Sequence, residues 1–279
     1  MRFPFRNIAL LLLILLFSIG AAGCGGKKRL DAVEVLPVEE LYAEGKRSLD
    51  NGNTNRAVRY LGRLVARFPY GEYSELAQLD LAFAQYKERK YEEGYSSINR
   101  FIKLYPAHRN IDYAYYLRGL INFDRQSGVL TRWIEQDYTR RDLNHARQSF
   151  QDFGELIKRF PNSAYVPEAR QRMVHLRNGL AQGELNTALF YFRRDAFIAA
   201  INRAQFLVEN YEETPQAGDA LAIMTEGYAR LGRKQQADDA RKVLIANYPS
   251  HPYLSGGRWP EARKLWWQLV PMIGEGRAG

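Results

Sequence analysis

An aromatic residue followed by proline recurs along this chain and marks where helices end. The pairs are Phe68-Pro69, Tyr105-Pro106, Phe160-Pro161 and Tyr248-Pro249, and a fifth place holds Tyr211 with a delayed Pro215. Proline has no amide hydrogen and clashes with the preceding helical turn, so each pair predicts a helix stop. No stretch between the stops alternates apolar and polar residues with a period of two. We therefore expect an all-α chain.

The spacing of these stops indicates a repeat of paired helices. Pro69 and Pro106 are 37 residues apart, close to the period of about 34 residues of tetratricopeptide repeats. Small residues precede the prolines where paired helices of that fold approach closely: Gly45 and Ala57, Ala82 and Gly94, and Ala237. We predict a tetratricopeptide-like α-solenoid of about five helix pairs over residues 38–252. The alternative is an unrelated helical bundle whose proline positions are coincidental.

The third pair departs from the pattern. Residues 111–123 predict its first helix and residues 143–160 its second, with a polar insertion at 124–142 that contains Trp133 and Tyr138. Insertions in repeat proteins project as loops on one face.

The N-terminus has the layout of a secretory signal peptide. An apolar run over residues 8–22 follows Arg2 and Arg6 and precedes small residues. The run is shorter than the roughly 20 residues that a membrane-crossing helix needs. We therefore expect residues 1–23 to be removed on export.

The single cysteine of the sequence, Cys24, directly follows that signal. Its surroundings resemble the lipobox of bacterial lipoproteins, with Ala21 in place of the usual leucine. This resemblance predicts a diacylglycerol and an N-acyl lipid on Cys24 and a flexible tether over residues 24–37. Gly25, instead of aspartate, implies sorting to the outer membrane of a Gram-negative bacterium, on its periplasmic face. The alternative is an ordinary thiol that lies here by chance.

The charge of the chain is basic, at +9. Loss of residues 1–23 leaves 38 Lys and Arg against 31 Asp and Glu, a net charge of +7. Such a surface attracts anionic lipid or an acidic protein partner, and export argues against nucleic acid. The alternative is that the charge only maintains solubility. Four arginines recur at helical spacing and line one solvated face: Arg56, Arg59, Arg63 and Arg67.

Four segments resemble the BamD family of outer-membrane assembly lipoproteins beyond the general repeat pattern. They are residues 68–82, 108–120, 140–153 and 160–165. The resemblance implies a subunit of the β-barrel assembly complex that binds unfolded outer-membrane proteins, the periplasmic domains of the barrel-forming subunit, and other assembly lipoproteins. It implies a binding function without catalysis.

The resemblance also implies where partners bind. The N-terminal repeats would accept the aromatic C-terminal signal of barrel substrates, and the candidate pocket residues are Tyr42, Tyr86, Tyr113 and Tyr116. Arg203 matches the family position that pairs with an acidic residue of the barrel-forming subunit. The alternatives are that the tyrosines only pack between helices and that Arg203 is a solvated surface charge.

The C-terminal extension, residues 253–279, departs from the family. Leu265, Trp266, Leu269 and Val270 fall on one face of a predicted short helix. This helix would cap the last repeat or bind a partner.

No motif for catalysis or metal binding occurs in the sequence. The four histidines, His108, His145, His175 and His251, are too scattered to suggest a metal site, and no phosphate-binding or hydrolase motif is present. We predict a binding protein that uses no cofactor beyond its lipid. The alternative function is a lipid-anchored tetratricopeptide scaffold for cell-division or cell-wall proteins.

Overall fold

The computed structural model describes residues 32–126 and 143–256, and every regular element in those ranges is helical. Contacts divide the chain at Glu88 into two compact units. Unit 1 comprises the described residues up to Glu88, and unit 2 those from Arg89. The prediction of an all-α, tetratricopeptide-like fold is confirmed. No helix in the described ranges is long and apolar enough to cross a membrane.

Unit 1 is built from one short helix and three longer ones. They are α1 (Ala32–Val35), α2 (Val38–Asp50), α3 (Thr54–Arg67) and α4 (Glu72–Lys87). Its core is formed by Leu41, Ala57, Leu61, Leu64 and Ala77, all fully buried. Each of the three longer helices contributes to this core, so unit 1 has one continuous apolar interior.

Unit 2 contains seven helices among its described residues. They are α5 (Tyr91–Leu104), α6 (Ile111–Gln126), α7 (Asn144–Arg159), α8 (Val166–Phe192), α9 (Phe197–Asn210), α10 (Ala217–Arg230) and α11 (Lys234–Asn247). Each helix packs on the next along the chain. The sequence placed the end of α6 at Phe123, whereas the helix continues to Gln126. Residues 127–142, most of the predicted insertion, lie outside the described ranges.

The predicted helix stops are confirmed, and their geometry repeats. In α3, α5, α7, α9 and α11 the aromatic residue follows the last helical residue and donates its N–H to the carbonyl four residues earlier. In unit 2 a second bond then closes a tight turn, because the residue three positions after the aromatic donates back to the aromatic carbonyl. These donors are His108, Ser163, Thr214 and His251, at 3.0 to 3.1 Å. The same turn therefore directs the chain out of each of these helices.

Glycines lie where paired helices approach most closely. A Cβ on Gly45 would lie 2.6 Å from Leu61 Cδ2, one on Gly119 2.5 Å from Phe153 Cε1, and one on Gly227 2.8 Å from Ile201 Cγ1. Gly45 and Gly119 are on the first helix of a pair and contact a buried residue of its second helix, whereas Gly227 on α10 contacts the buried Ile201 of the preceding helix, α9. The absence of a side chain thus sets the distance between the two helices.

We expect Gly119→Ala to lower the free energy of unfolding by about 1–2 kcal/mol. The Phe153 ring is fully buried and cannot move away, and overpacking of this kind costs about 1–3 kcal/mol, partly offset by the better helix propensity of alanine. Urea unfolding would measure the change. Gly154→Ala is the matched control, since its nearest neighbour is Met173 Cε at 3.8 Å, and it should be neutral or stabilising. Equal effects of the two substitutions would contradict the packing argument.

Candidate functional site

Arg203 lies on the flank of α9, next to the buried side of that helix. Ala200, Ala204 and Leu207 anchor α9 in the core of unit 2. The Arg203 side chain is half exposed, and its Nη1 lies 3.3 Å from Oε2 of Glu184 on α8. Glu184 is itself largely buried, so the guanidinium is held at one end by a fixed carboxylate. The guanidinium carries five N–H donors, so this contact leaves donors for a further acceptor.

The exposed side of α9 carries two large apolar side chains. Ile198 is 59% exposed and Phe206 is 42% exposed. The only charged residues of the helix are Arg203 and Glu209. A helix surface that combines exposed apolar side chains with one partly held arginine has the composition of a protein-docking surface.

Tyr42 on α2 is half buried and belongs to a polar cluster in unit 1. Its hydroxyl donates to Asp80 Oδ2 on α4 at 3.1 Å, and its ring lies 5.7 Å from the partly exposed ring of Tyr73. Lys46 Nζ lies 3.7 Å from Asp80 Oδ1. Burial raises the pKa of the Asp80 carboxyl, although Lys46 and the Tyr42 hydroxyl act to lower it. The two rings and the carboxylate form an aromatic surface with a polar end.

Tyr86 lies near the end of α4, half buried, and its ring is 6.5 Å from that of Phe83. Tyr86 is on the same helix as Tyr73 and Asp80. Whether its ring contacts a peptide stays a prediction.

The structure brings Tyr113 and Tyr116 together on a third tyrosine in unit 2. The ring of Tyr165 lies 5.4 Å from that of Tyr113 and is stacked on that of Tyr116 at 4.8 Å. Tyr113 is half buried. Tyr116 is only 6% exposed and also packs against Phe153. Burial, together with a hydrogen bond to Glu168, raises the pKa of Tyr116. Its side chain therefore packs between helices, which was the alternative interpretation for these tyrosines.

A buried charged network joins α6 to α7. Arg118 Nε lies 2.9 Å from Asp152 Oδ1, and Asn122 Nδ2 donates to Asp152 Oδ2 at 2.7 Å. The Asp152 side chain is 2% exposed, and this burial raises its pKa against the opposing charge of Arg118. Because the carboxylate is paired and hydrogen-bonded, the network fixes the relative position of the two helices.

Sequence reasoning missed the residues that hold the candidates in place. Glu184 contacts Arg203, Asp80 and Tyr73 contact Tyr42, and Tyr165 contacts two candidate tyrosines. Each pair is between 19 and 52 residues apart in the sequence, so no local pattern connects its members. Cys24 and residues 257–279 of the predicted extension lie outside the described residues.

The sequence matches known proteins over most of its length. A family described as outer membrane lipoprotein matches residues 35–244. Outer membrane protein assembly factor BamD of Xylella fastidiosa (strain Temecula1 / ATCC 700964) is 42% identical over 271 residues, 97% of this chain and 92% of the relative. The factor of the same name from Neisseria meningitidis serogroup A is 40% identical over 83% of this chain and 86% of its own length. That from Vibrio cholerae serotype O1 is 37% identical over 85% and 96%, respectively.

The raised pKa of Asp80 predicts a pH dependence of stability. The folded state holds this proton more tightly than the unfolded state, whose carboxyl titrates near its ordinary value of 3.8. As the pH rises from about 4 through the folded-state pKa, the contribution of Asp80 to the free energy of unfolding therefore decreases. Asp80→Asn cannot ionise and still accepts the Tyr42 hydroxyl. Urea unfolding at several pH values should show the wild type losing stability relative to this variant as the pH rises, and parallel profiles would contradict the prediction.

Proposed function

Because the chain belongs to the BamD family and acts in outer-membrane protein assembly, we propose that it is a lipid-anchored binding subunit of the β-barrel assembly complex. It would bind unfolded outer-membrane proteins and the barrel-forming subunit at separate surfaces. Relatives are named as assembly factors, which supports a role that depends on binding and not on catalysis.

The docking surface for the barrel-forming subunit is proposed to be the exposed side of α9. The observation that supports it is the combination of a half-exposed Arg203 with Ile198 and Phe206 on one helix. An arginine can donate two parallel hydrogen bonds to a carboxylate of a periplasmic domain, and the apolar side chains would exclude water from that pair. The single contact with Glu184 would limit the rotamer freedom that Arg203 loses on binding.

The substrate-peptide surface is proposed to include Tyr42. Tyr73 lies beside it and is partly exposed, so an aromatic residue at the end of a substrate strand could pack on the pair. Such ring contacts contribute about 0.5–1.5 kcal/mol beyond the burial of area. Tyr86 and Tyr113 are half buried and stay candidates for the same role. Tyr116 would contribute only by supporting Tyr113 through Tyr165.

The anchor is proposed to be the acylated Cys24, at the periplasmic face of the outer membrane. The family description, outer membrane lipoprotein, supports this placement. The predicted tether, residues 24–37, overlaps α1, whose Val33 is buried in the core of unit 1. The stretch before α1, residues 24–31, would therefore join the folded part to the lipid, and the other lipoproteins of the complex would be neighbours at the same membrane.

We expect Arg203→Glu to reduce recovery of the barrel-forming subunit in a mild-detergent pull-down about tenfold or more. Loss of a buried interface charge pair costs about 2–5 kcal/mol. Mass spectrometry of the copurified chains would measure the change. Arg170→Glu is the matched control, since Arg170 is exposed on α8 and lies away from this surface. Unchanged recovery with Arg203→Glu would reject the docking surface, and recovery of cell-wall proteins without a barrel protein would reject the proposed function.

We expect Tyr42→Ala to weaken binding of a peptide that ends in an aromatic residue by about three- to tenfold. Fluorescence polarisation of the labelled peptide would measure the affinity. Tyr70→Ala provides the control, because Tyr70 is 85% exposed and is no part of the cluster around Tyr42. Tyr42→Phe keeps the ring but removes the hydroxyl that holds Asp80, and so should retain most of the affinity. Equal losses for Tyr42→Ala and Tyr70→Ala would contradict the proposed surface.

A further inference from the structure

One face of α3 carries four arginines, and the helix has no acidic residue. Arg56, Arg59, Arg63 and Arg67 are spaced by three or four residues and therefore lie along one side of the helix. We call this set the arginine face. Arg56, Arg59 and Arg67 are exposed, and Arg63 is partly exposed. The four positive charges extend over about 16 Å of helix.

The arginine face is basic although unit 1 as a whole is not. Residues 32–88 carry nine acidic and seven basic side chains, a net charge of −2. Four of the seven basic residues are on α3, whereas α2 contains Glu39, Glu40, Glu44 and Asp50. The other helices that precede an aromatic stop, α5, α7, α9 and α11, have net charges between 0 and +1. Solubility alone does not require such segregation of charge.

Partners within unit 1 neutralise only part of this charge. Arg56 Nη2 lies 2.9 Å from Glu44 Oε2, and Glu44 is shared with Arg47. The guanidinium of Arg59 lies 5.7 Å from the centre of the Tyr60 ring, and no carboxylate among the described residues pairs with it. Arg59, near the middle of the face, therefore presents its positive charge to the solvent.

One end of the arginine face lies where the N-terminal tether leaves unit 1. Arg67 Nη1 donates to the backbone carbonyl of Leu36 at 3.0 Å, in the short connection between α1 and α2. Cys24 is twelve residues before Leu36. Twelve residues span at most about 40 Å even when fully extended. A lipid on Cys24 would therefore keep this end of unit 1 within that distance of the membrane surface.

We propose that the arginine face of α3 binds the anionic phosphate groups of the membrane in which Cys24 is anchored. The inference rests on the proposed lipid anchor, and it adds a second membrane contact made by the folded part of the chain. Basic side chains near an anionic surface are attracted to it within about one Debye length. The guanidinium group donates two parallel hydrogen bonds to a phosphate.

A protein partner fits the arginine face less well than a lipid surface. Protein interfaces have a desolvated apolar or aromatic centre, and α3 contributes none of the exposed large apolar side chains. In this respect it differs from α9, whose exposed side carries Ile198 and Phe206. Because the arginine face is charged and has no apolar centre, it is better suited to a diffuse, hydrated anionic surface than to a protein interface.

The test is vesicle binding by the exported chain, residues 24–279, with Cys24→Ser so that no acyl chain contributes. The probes are vesicles of phosphatidylglycerol mixed with phosphatidylcholine, and vesicles of phosphatidylcholine alone. Arg59→Gln with Arg63→Gln should lower partitioning onto the anionic vesicles roughly 10- to 30-fold. Arg59→Lys with Arg63→Lys should retain binding, because the charges remain. Binding should weaken as salt is added and should be absent on the neutral vesicles.

The control removes the same net charge elsewhere. Arg233→Gln with Lys234→Gln changes two exposed residues at the start of α11 and should leave vesicle binding nearly unchanged. Equal losses for the two double variants would overturn the proposal, since net charge alone would then explain binding. Loss of a copurified protein with unchanged vesicle binding would overturn it in favour of a protein partner. Absence of acyl groups on native Cys24 would reject the proposed anchor. The vesicle assay uses Cys24→Ser, so it tests lipid binding by the arginine face separately from the anchor.

Discussion

The spacing between paired helices depends on glycine at the points of closest approach. At Gly45, Gly119 and Gly227 there is no room for a Cβ, because a buried leucine, phenylalanine or isoleucine of a neighbouring helix occupies the space. Helix pairs with such close contacts bury their facing sides almost completely. The opposite sides need not serve the core, and their composition can differ from one helix to the next.

That freedom is visible in the contrast between α3 and α9. Both helices end at the same aromatic position and bury an equivalent leucine, Leu64 or Leu207, four residues before it. Their exposed sides have opposite characters, since α3 carries four arginines and α9 carries Ile198, Arg203 and Phe206. The two helices therefore pack in the same way but expose different surfaces. The surface of α3 suits an anionic lipid, and that of α9 suits a protein.

The local rules of helix formation made much of the fold predictable. The aromatic-proline pairs predicted the helix stops, and Gly45, Ala57, Ala82 and Ala237 were correctly placed at buried positions. Proline chemistry and helical periodicity act over a few residues, so a sequence expresses them directly. The sites were harder to predict, because Tyr116 lies in the core and the residues that contact Arg203 and Tyr42 are distant in the sequence. The family resemblance identified Arg203, but it did not indicate that Glu184 holds one end of its guanidinium.

The sequence by itself determined the helical class, the repeat, the helix stops and the membership of an assembly family, and its export signal stays a prediction. Only the tertiary structure decided which side chains are available for binding. A tyrosine or an arginine at a helical position has the same chemistry whether a neighbouring helix covers it or leaves it exposed, and that choice depends on contacts between residues far apart in the chain. For this reason Tyr116 and Tyr42, which were both predicted to line a peptide pocket, differ in exposure in the folded protein: Tyr116 is buried in the core, whereas Tyr42 is half buried. The same long-range contacts bring Arg67 to Leu36 and so connect the arginine face to the tether.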